Sequence, residues 1–156
     1  MEDEKQKNVE KLKRLCSDAI AKYPTKDVTG DGIPETFCNF GLQYIAAGMG
    51  YSGFGGMAAN QICTVLDVSE NWRQCDAVLA QNTANEGKLA VAALRDDPHG
   101  HVAVCYPGEI QRSAKWGKLC PTVANVGKDN FIRGANFAFG QEPKYFVLKD
   151  RKEVGQ

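Results

Sequence analysis

One cysteine and one of two histidines are the residues whose types and spacing predict nucleophilic chemistry in this chain. Cys38 begins a helix-like run, C-N-F-G-L-Q-Y-I-A-A-G-M-G, and His101 begins a strand-like run, H-V-A-V-C-Y. The sequence holds two histidines, so an imidazole base must be His101 or the nearby His99. We prefer His101, because a strand holds its side chains more rigidly than the D-D-P-H-G turn that contains His99.

The predicted chemistry is attack by a thiolate on a carbonyl carbon. An ordinary thiol, with a pKa of about 8.5, is mostly protonated at neutral pH. A helix that begins at Cys38 would favour the thiolate, and the backbone N–H of Cys38 would contribute to an oxyanion site. His101 would accept the thiol proton and later donate it to the leaving amine.

A third polar group is needed to orient the imidazole. Asn125 is our candidate, because it lies in T-V-A-N-V-G, a predicted neighbouring strand. Asp129, Asn130 and Asn136 remain alternatives. Cys38 could also be a small core residue with no chemical role, since free cysteines are often buried.

Helices in the first half and strands in the second must position these residues. Apolar residues at helical spacing predict four helices, at 4–22, 38–49, about 57–66 and about 74–84. Short apolar or β-branched runs beyond Gly87 predict four strands, at 88–94, 101–106, 122–126 and 144–148. Helices followed by an antiparallel sheet indicate an α+β fold.

The length, charge and hydropathy of the chain limit its domain organisation and the kinds of partner that it binds. Its 156 residues predict a single domain, 1–156, with an N-terminal helix in 1–24 and a catalytic core in 25–150. Lysine plus arginine and aspartate plus glutamate balance at 19 each, which argues against nucleic acid as a partner. No apolar stretch approaches the roughly 20 residues of a membrane span, so we expect a soluble protein.

The six cysteines show no C-x-x-C spacing, which argues against a zinc finger or a thioredoxin-like redox motif. One or two disulfides remain open. The loop D-V-T-G-D-G-I-P-E is a candidate calcium site, with Asp27, Thr29, Asp31 and Glu35 as ligands. The alternative is a solvated Asp-Gly turn. The cysteine chemistry itself requires no cofactor.

Four strings carry a family resemblance: T-F-C-N-F-G-L-Q-Y-I-A-A-G-M-G, M-A-A-N, A-N-E-G-K-L-A-V-A-A and G-H-V-A-V. Over roughly 27–148 the chain resembles the NlpC-type and CHAP cell-wall hydrolases, and it also looks like the amidase effectors that bacteria inject by type VI secretion. The resemblance implies a papain-like fold with Cys38 at a helix start and His101 on the first core strand. It matches Asn125 by region only. Some CHAP enzymes hold calcium just before the cysteine.

The resemblance implies hydrolysis of amide bonds in peptidoglycan stem peptides or cross-bridges. It places the activity in the periplasm or on the cell wall, after secretion or injection without a cleavable signal, and makes an immunity or inhibitor protein a further candidate partner. Candidate substrate contacts are Phe37, Asn39, Phe54 and His99, although for Phe54 a place in the core is the favoured alternative. Two alternatives stay open: a papain-like enzyme for another amide or thioester, and a non-catalytic binding module.

Overall fold

The computed structural model describes residues 2–26, 28–32 and 36–150. Within these residues it contains five helices and eight strands, so the predicted α+β class is confirmed. In chain order the elements are α1 Glu2–Lys22, α2 Cys38–Gly48, α3 Ala59–Val68, β1 Trp72–Cys75, α4 Ala77–Asn85, β2 Ala90–Leu94, β3 His101–Cys105, β4 Gln111–Ser113, β5 Lys118–Cys120, β6 Thr122–Asn125, β7 Phe131–Gly134, α5 Ala135–Ala138 and β8 Lys144–Leu148.

Six strands form one antiparallel sheet in the order β1-β8-β2-β3-β6-β7, and β4 pairs with β5 in a separate hairpin. β2 and β3 lie near the middle of the sheet and are buried along almost their whole length. β3 pairs with β6 through Val104 opposite Ala124 and Cys105 opposite Val123. This register places the first residues of β3 close to the last residues of β6.

A buried glutamine on α4 joins the other ends of β3 and β6. The Gln81 side chain is 2% exposed. Its Nε2 donates to the carbonyl of Tyr106 at 2.9 Å, and its Oε1 accepts from the backbone N–H of Thr122 at 2.8 Å. Gln81 therefore satisfies two backbone groups just outside the ladder and helps to fix the register between the two strands.

The helix that begins at Cys38 is packed tightly on two sides. A Cβ atom on Gly41 would lie 2.7 Å from Cγ2 of Val126, and one on Gly48 would lie 2.6 Å from Cδ2 of Leu15 in α1. Both distances are too short for a real Cβ, so the two glycines allow α2 to approach the end of β6 and α1 closely. This packing fixes the position of Cys38 relative to the sheet.

The structure corrects part of the predicted element list. The helix expected from about 74 begins at Ala77, because Asp76 caps it by accepting from the N–H of Leu79 at 2.9 Å. The preceding residues, Trp72–Cys75, form the edge strand β1, which was not predicted in a half expected to be mainly helical. β4, β5, β7 and α5 were not predicted either.

Two further features of the structure are the length and apolar character of its helices and the oxidation state of its cysteines. No helix in 2–26, 28–32 or 36–150 is both long and apolar enough to cross a membrane. All six cysteines are free thiols, and only Cys75 is partly exposed.

Candidate active site

The candidate nucleophile, Cys38, is the first residue of α2. The residue before it, Phe37, occupies the N-cap position with φ −129° and ψ 37°, and its side chain cannot cap the helix. The first backbone N–H groups of a helix have no partner within the helix. At this terminus they are therefore available to the Cys38 sulfur and to any anion that forms beside it.

Two opposing influences act on the Cys38 thiol. Burial raises its pKa, whereas hydrogen bonds from the backbone N–H groups of Val102, Asn39 and Cys38 itself lower it. Burial has the larger effect, so the pKa lies above the ordinary value and the resting group is the thiol. The backbone N–H groups at the helix start act in the direction expected from the sequence, towards the thiolate, but burial outweighs them. For the Cys38 sulfur to act as a nucleophile, a base would therefore have to remove its proton as it attacks.

The hydrogen bond to Val102 also locates the sulfur, because Val102 directly follows His101 in β3. The thiol consequently lies beside the peptide that links the candidate base to the rest of the strand. Cys38 is 8% exposed and His101 is partly buried, so both groups lie at the edge of the core.

His101 and Asn125 form the hydrogen bond that the candidate triad requires. Nε2 of His101 lies 2.5 Å from Oδ1 of Asn125. The other end of the amide, Nδ2, donates to the carbonyl of Asp129 at 2.8 Å, which leaves Oδ1 to act as an acceptor. Nε2 therefore carries the imidazole proton, and Nδ1 is left with the lone pair that a general base needs.

Packing holds the imidazole in place from other directions. The ring of buried Phe139 lies 4.9 Å from the His101 ring, centroid to centroid. The register of β3 and β6, continued beyond Asn125, brings Gly127 across from His101, and a Cβ at Gly127 would lie 3.0 Å from Cε1 of the imidazole. Burial lowers the pKa of His101, and the bond to Asn125 opposes this shift. The imidazole is accordingly neutral at pH 7 and able to accept a proton.

The alternatives to Asn125 have other partners. Asn130 accepts from the N–H of Gly127 and donates to the carbonyls of Ile20 and Tyr23 at the end of α1. Asp129 supplies its backbone carbonyl to Asn125, and Asn136 accepts a long contact from Cys120 at 3.5 Å. Asn125, which is 4% exposed, is thus the third residue that the geometry favours.

One cavity of about 380 Å³ brings the three residues together. Cys38, His101 and Asn125 lie on its wall, and Phe131 and Phe137 form an apolar side. The Phe137 ring is 54% exposed and carries the guanidinium of Arg133 at 3.6 Å from its centroid. A larger depression of about 740 Å³ lies at the start of α1 among charged residues, far from this chemistry in the fold.

The turn from β6 to β7 forms the charged side of the same cavity, through Lys128 and Asp129. The turn is fastened to the end of α1. The Thr25 hydroxyl lies within hydrogen-bonding distance of the carbonyls of Gly127 and Lys128, and Asn130 binds the last carbonyls of α1 as described above. The N-terminal helix therefore helps to shape the cavity even though it contributes no residue to its wall.

The predicted substrate contacts occupy different places. Asn39 donates to the carbonyl of Met57 at 3.1 Å, and Phe37 stacks on Phe40 at 5.8 Å next to the nucleophile. Phe54 is 1% exposed and packs on Trp72 in the core, so the structure gives it a packing role in place of a substrate contact. His99 is exposed in the connection from β2 to β3. It is not one of the described residues that line the cavity.

The structure describes only part of the candidate calcium loop. Asp27 and Glu35 lie outside the described residues, whereas Thr29 and Asp31 are exposed. Within 2–26, 28–32 and 36–150 there is no group of three or more His, Cys, Asp or Glu side chains that could hold a metal ion. Calcium binding by this loop stays a prediction.

Several described cavity residues were not identified from the sequence, among them Gly127, Lys128 and Phe137. Gly127 and Lys128 belong to the G-K-D-N turn that follows Asn125. Their closeness to Asn125 in the sequence was the signal that could have identified them. Phe137 is brought to the cavity by α5, which the sequence did not predict.

Comparison of the chain with models of known protein families and with curated proteins finds no match.

Proposed function

We propose that this chain is a papain-like cysteine amidase or endopeptidase that cleaves amide bonds in the stem peptides or cross-bridges of bacterial peptidoglycan. One observation carries the enzymatic part: the hydrogen-bonded pair of His101 and Asn125 shares a cavity with a thiol at a helix amino terminus. The choice of substrate follows from the resemblance of the sequence motifs to cell-wall hydrolases. In that setting the protein acts in the periplasm or on the cell wall.

The first half of the reaction forms a thioester. As the Cys38 sulfur approaches the carbonyl carbon, Nδ1 of His101 accepts the thiol proton, and the carbonyl oxygen becomes an oxyanion. Backbone N–H groups at the start of α2, including that of Cys38, stabilise this charge. His101 then donates the proton to the leaving amine nitrogen, the C–N bond breaks, and the acyl group remains on sulfur.

The second half releases the acid. Nδ1 of His101 removes a proton from a water molecule, and the resulting hydroxide attacks the thioester carbon. The C–S bond breaks and Cys38 recovers its proton from His101. Whenever the imidazole is neutral, Asn125 keeps it in the tautomer that has its lone pair on Nδ1, because Oδ1 accepts from Nε2.

Digestion of purified peptidoglycan tests this proposal. Wild type and Cys38→Ala are incubated with several wall chemotypes, with and without calcium, and the fragments are separated by chromatography and identified by mass spectrometry. We expect new amino and carboxyl termini from wild type alone, and their identity names the bond that is cut. Dependence on added calcium would also support the predicted loop site.

The non-catalytic binding module is the rival that this experiment addresses. It predicts no new termini from any chemotype, together with retention of the folded protein on insoluble wall. Cleavage of unrelated amides or thioesters, without cleavage of peptidoglycan, would instead support the broader papain-like enzyme.

A further inference from the structure

We propose that Lys128 binds a carboxylate of the substrate close to the scissile amide, so that the site selects acidic peptides. The inference rests on the proposed function, because it assigns a substrate feature to the same cavity. Lys128 lies on the wall of that cavity together with Cys38 and His101. A lysine ammonium is a compact cation that suits carboxylate recognition at short range.

Hydrogen bonds to the backbone of the turn fix the position of Lys128. The Thr25 hydroxyl lies 2.8 Å from the Lys128 carbonyl, Asn130 fixes the N–H of Gly127, and Asn125 holds the carbonyl of Asp129. The turn is therefore fastened on both sides of Lys128. The ammonium lies at the end of a flexible side chain, but the backbone of Lys128 is held close to Cys38.

The ammonium is available to a ligand. Lys128 is exposed, and among residues 2–26, 28–32 and 36–150 no carboxylate forms an ion pair with it. The adjacent Asp129 also lies on the cavity wall, so the two opposite charges confine the positive field to a short distance. A carboxylate must come close to Lys128 to gain from it.

Apart from Asp129, the described groups closest to the candidate nucleophile add no negative charge that opposes Lys128. Burial raises the pKa of Cys38 and lowers that of His101, so both are neutral at pH 7. The first N–H groups of α2 add the positive end of a helix dipole. Because basic and acidic side chains balance at 19 each over the whole chain, a preference for anions at Cys38 must arise locally.

Alkylation of Cys38 by two small reagents measures this local preference without any peptide substrate. Iodoacetate carries a carboxylate, whereas iodoacetamide is neutral and nearly the same size. The ratio of their rates at Cys38, followed at about pH 8 by peptide mapping, cancels differences in the thiolate fraction between variants. Cys75 serves as an internal control, because it is partly exposed and lies on the edge strand β1, which β8 and β2 separate from β3 in the sheet.

We expect Lys128→Met to lower the iodoacetate-to-iodoacetamide ratio at Cys38 about threefold, the size of effect that one exposed charge pair produces. Lys128→Arg keeps the ratio, and Asp129→Asn does not lower it. The ratio at Cys75 stays constant in all variants. The difference between wild type and Lys128→Met shrinks at about 1 M salt, where charges are screened within about 3 Å.

An unchanged ratio in Lys128→Met, or an equal fall in Asp129→Asn, overturns the inference and leaves the proposed function intact. Failure of both reagents to modify Cys38 overturns the proposed function and the inference with it. A second measurement uses peptides that the enzyme cleaves, with a carboxylate or a carboxamide beside the scissile bond. Wild type prefers the carboxylate in kcat/KM, and Lys128→Met loses that preference.

Discussion

At the scale of single residues, the site depends on which nitrogen of His101 carries its proton. The amide of Asn125 is oriented by the carbonyl of Asp129, and it in turn orients the imidazole. The sulfur, whose pKa burial raises, needs the base that this arrangement provides. One buried amide therefore links the turn after β6 to the chemistry at Cys38.

Replacement of Asn125 by alanine should lower kcat about a hundredfold with a much smaller change in KM, because the imidazole loses its orientation but the cavity keeps its walls. The measurement is the rate of release of new amino groups from peptidoglycan fragments. Asn136→Ala is the matched control, since among the described residues the Asn136 side chain makes only the long contact with Cys120. Equal losses in the two variants would contradict the role of Asn125.

At the scale of secondary-structure elements, the close approach of α2 to the end of β6 positions the candidate nucleophile relative to the strand end that carries Asn125. Gly41 lies one turn after Cys38, and Val126 directly follows Asn125. The space between these two elements has no room for a methyl group at position 41, as the 2.7 Å separation from Val126 shows. Gly41 in the Cys38 helix is thus closely packed against Val126, the residue that follows Asn125.

Gly41→Ala should therefore destabilise the protein by about 1–3 kcal/mol and lower kcat, because the added methyl pushes α2 away from β6. The free energy of unfolding in urea and the rate of peptidoglycan cleavage measure the two effects. Val126→Ala removes Cγ1 and Cγ2 of the conflicting side chain but keeps its Cβ, which would lie 2.9 Å from the new methyl, so the double variant should recover only part of both losses.

Gly55→Ala is the matched control for this pair. Its φ is not positive, and the nearest atom to an added Cβ is the Ser52 carbonyl oxygen at 3.8 Å, an ordinary contact. It should change the free energy of unfolding by less than about 0.5 kcal/mol. Additive losses in Gly41→Ala and Val126→Ala would show that the two residues do not conflict.

At the scale of the whole molecule, the sequence predicted most of the large elements. Periodicity located α1, α2, β3 and β8 because each has a regular apolar pattern that is buried on one face or throughout. β1 has the polar sequence W-R-Q-C and is a strand through its pairing with β8, which no local pattern reveals. Only the tertiary structure could define it.

The same distinction holds for the site. Cys38, His101 and Asn125 were accessible from residue type and position, because chemistry restricts the choice to few groups. Lys128 and Phe137 were not, since their proximity to Cys38 depends on the β3–β6 register and on the short helix α5. For Phe54 the core was the favoured position, but it was kept as a candidate contact because an aromatic residue in a glycine-rich run is also consistent with a groove.

The dependence of global stability on pH gives a final test of the site's electrostatics. Burial lowers the pKa of His101 in the folded protein, whereas the unfolded chain has the ordinary value of about 6.5. Between those two pKa values the unfolded state binds more protons, so stability is lost as the pH falls below about 6.5, by at most about 1.4 kcal/mol per pH unit. The groups that share its cavity are Cys38, which stays neutral there, and the charged Lys128 and Asp129.

Urea unfolding at about pH 7.5 and 5.5, on either side of the ordinary imidazole pKa, measures this loss in wild type, His101→Gln and His99→Gln. His101→Gln should lose less stability than wild type on acidification, because it lacks the buried imidazole that resists protonation. His99 is exposed, so His99→Gln should keep the wild-type difference. Carboxylates titrate equally in all three proteins and cancel in the comparison. An identical loss in the three would mean that His101 is as easily protonated in the folded state as in the unfolded one, which its burial beside Phe139 argues against.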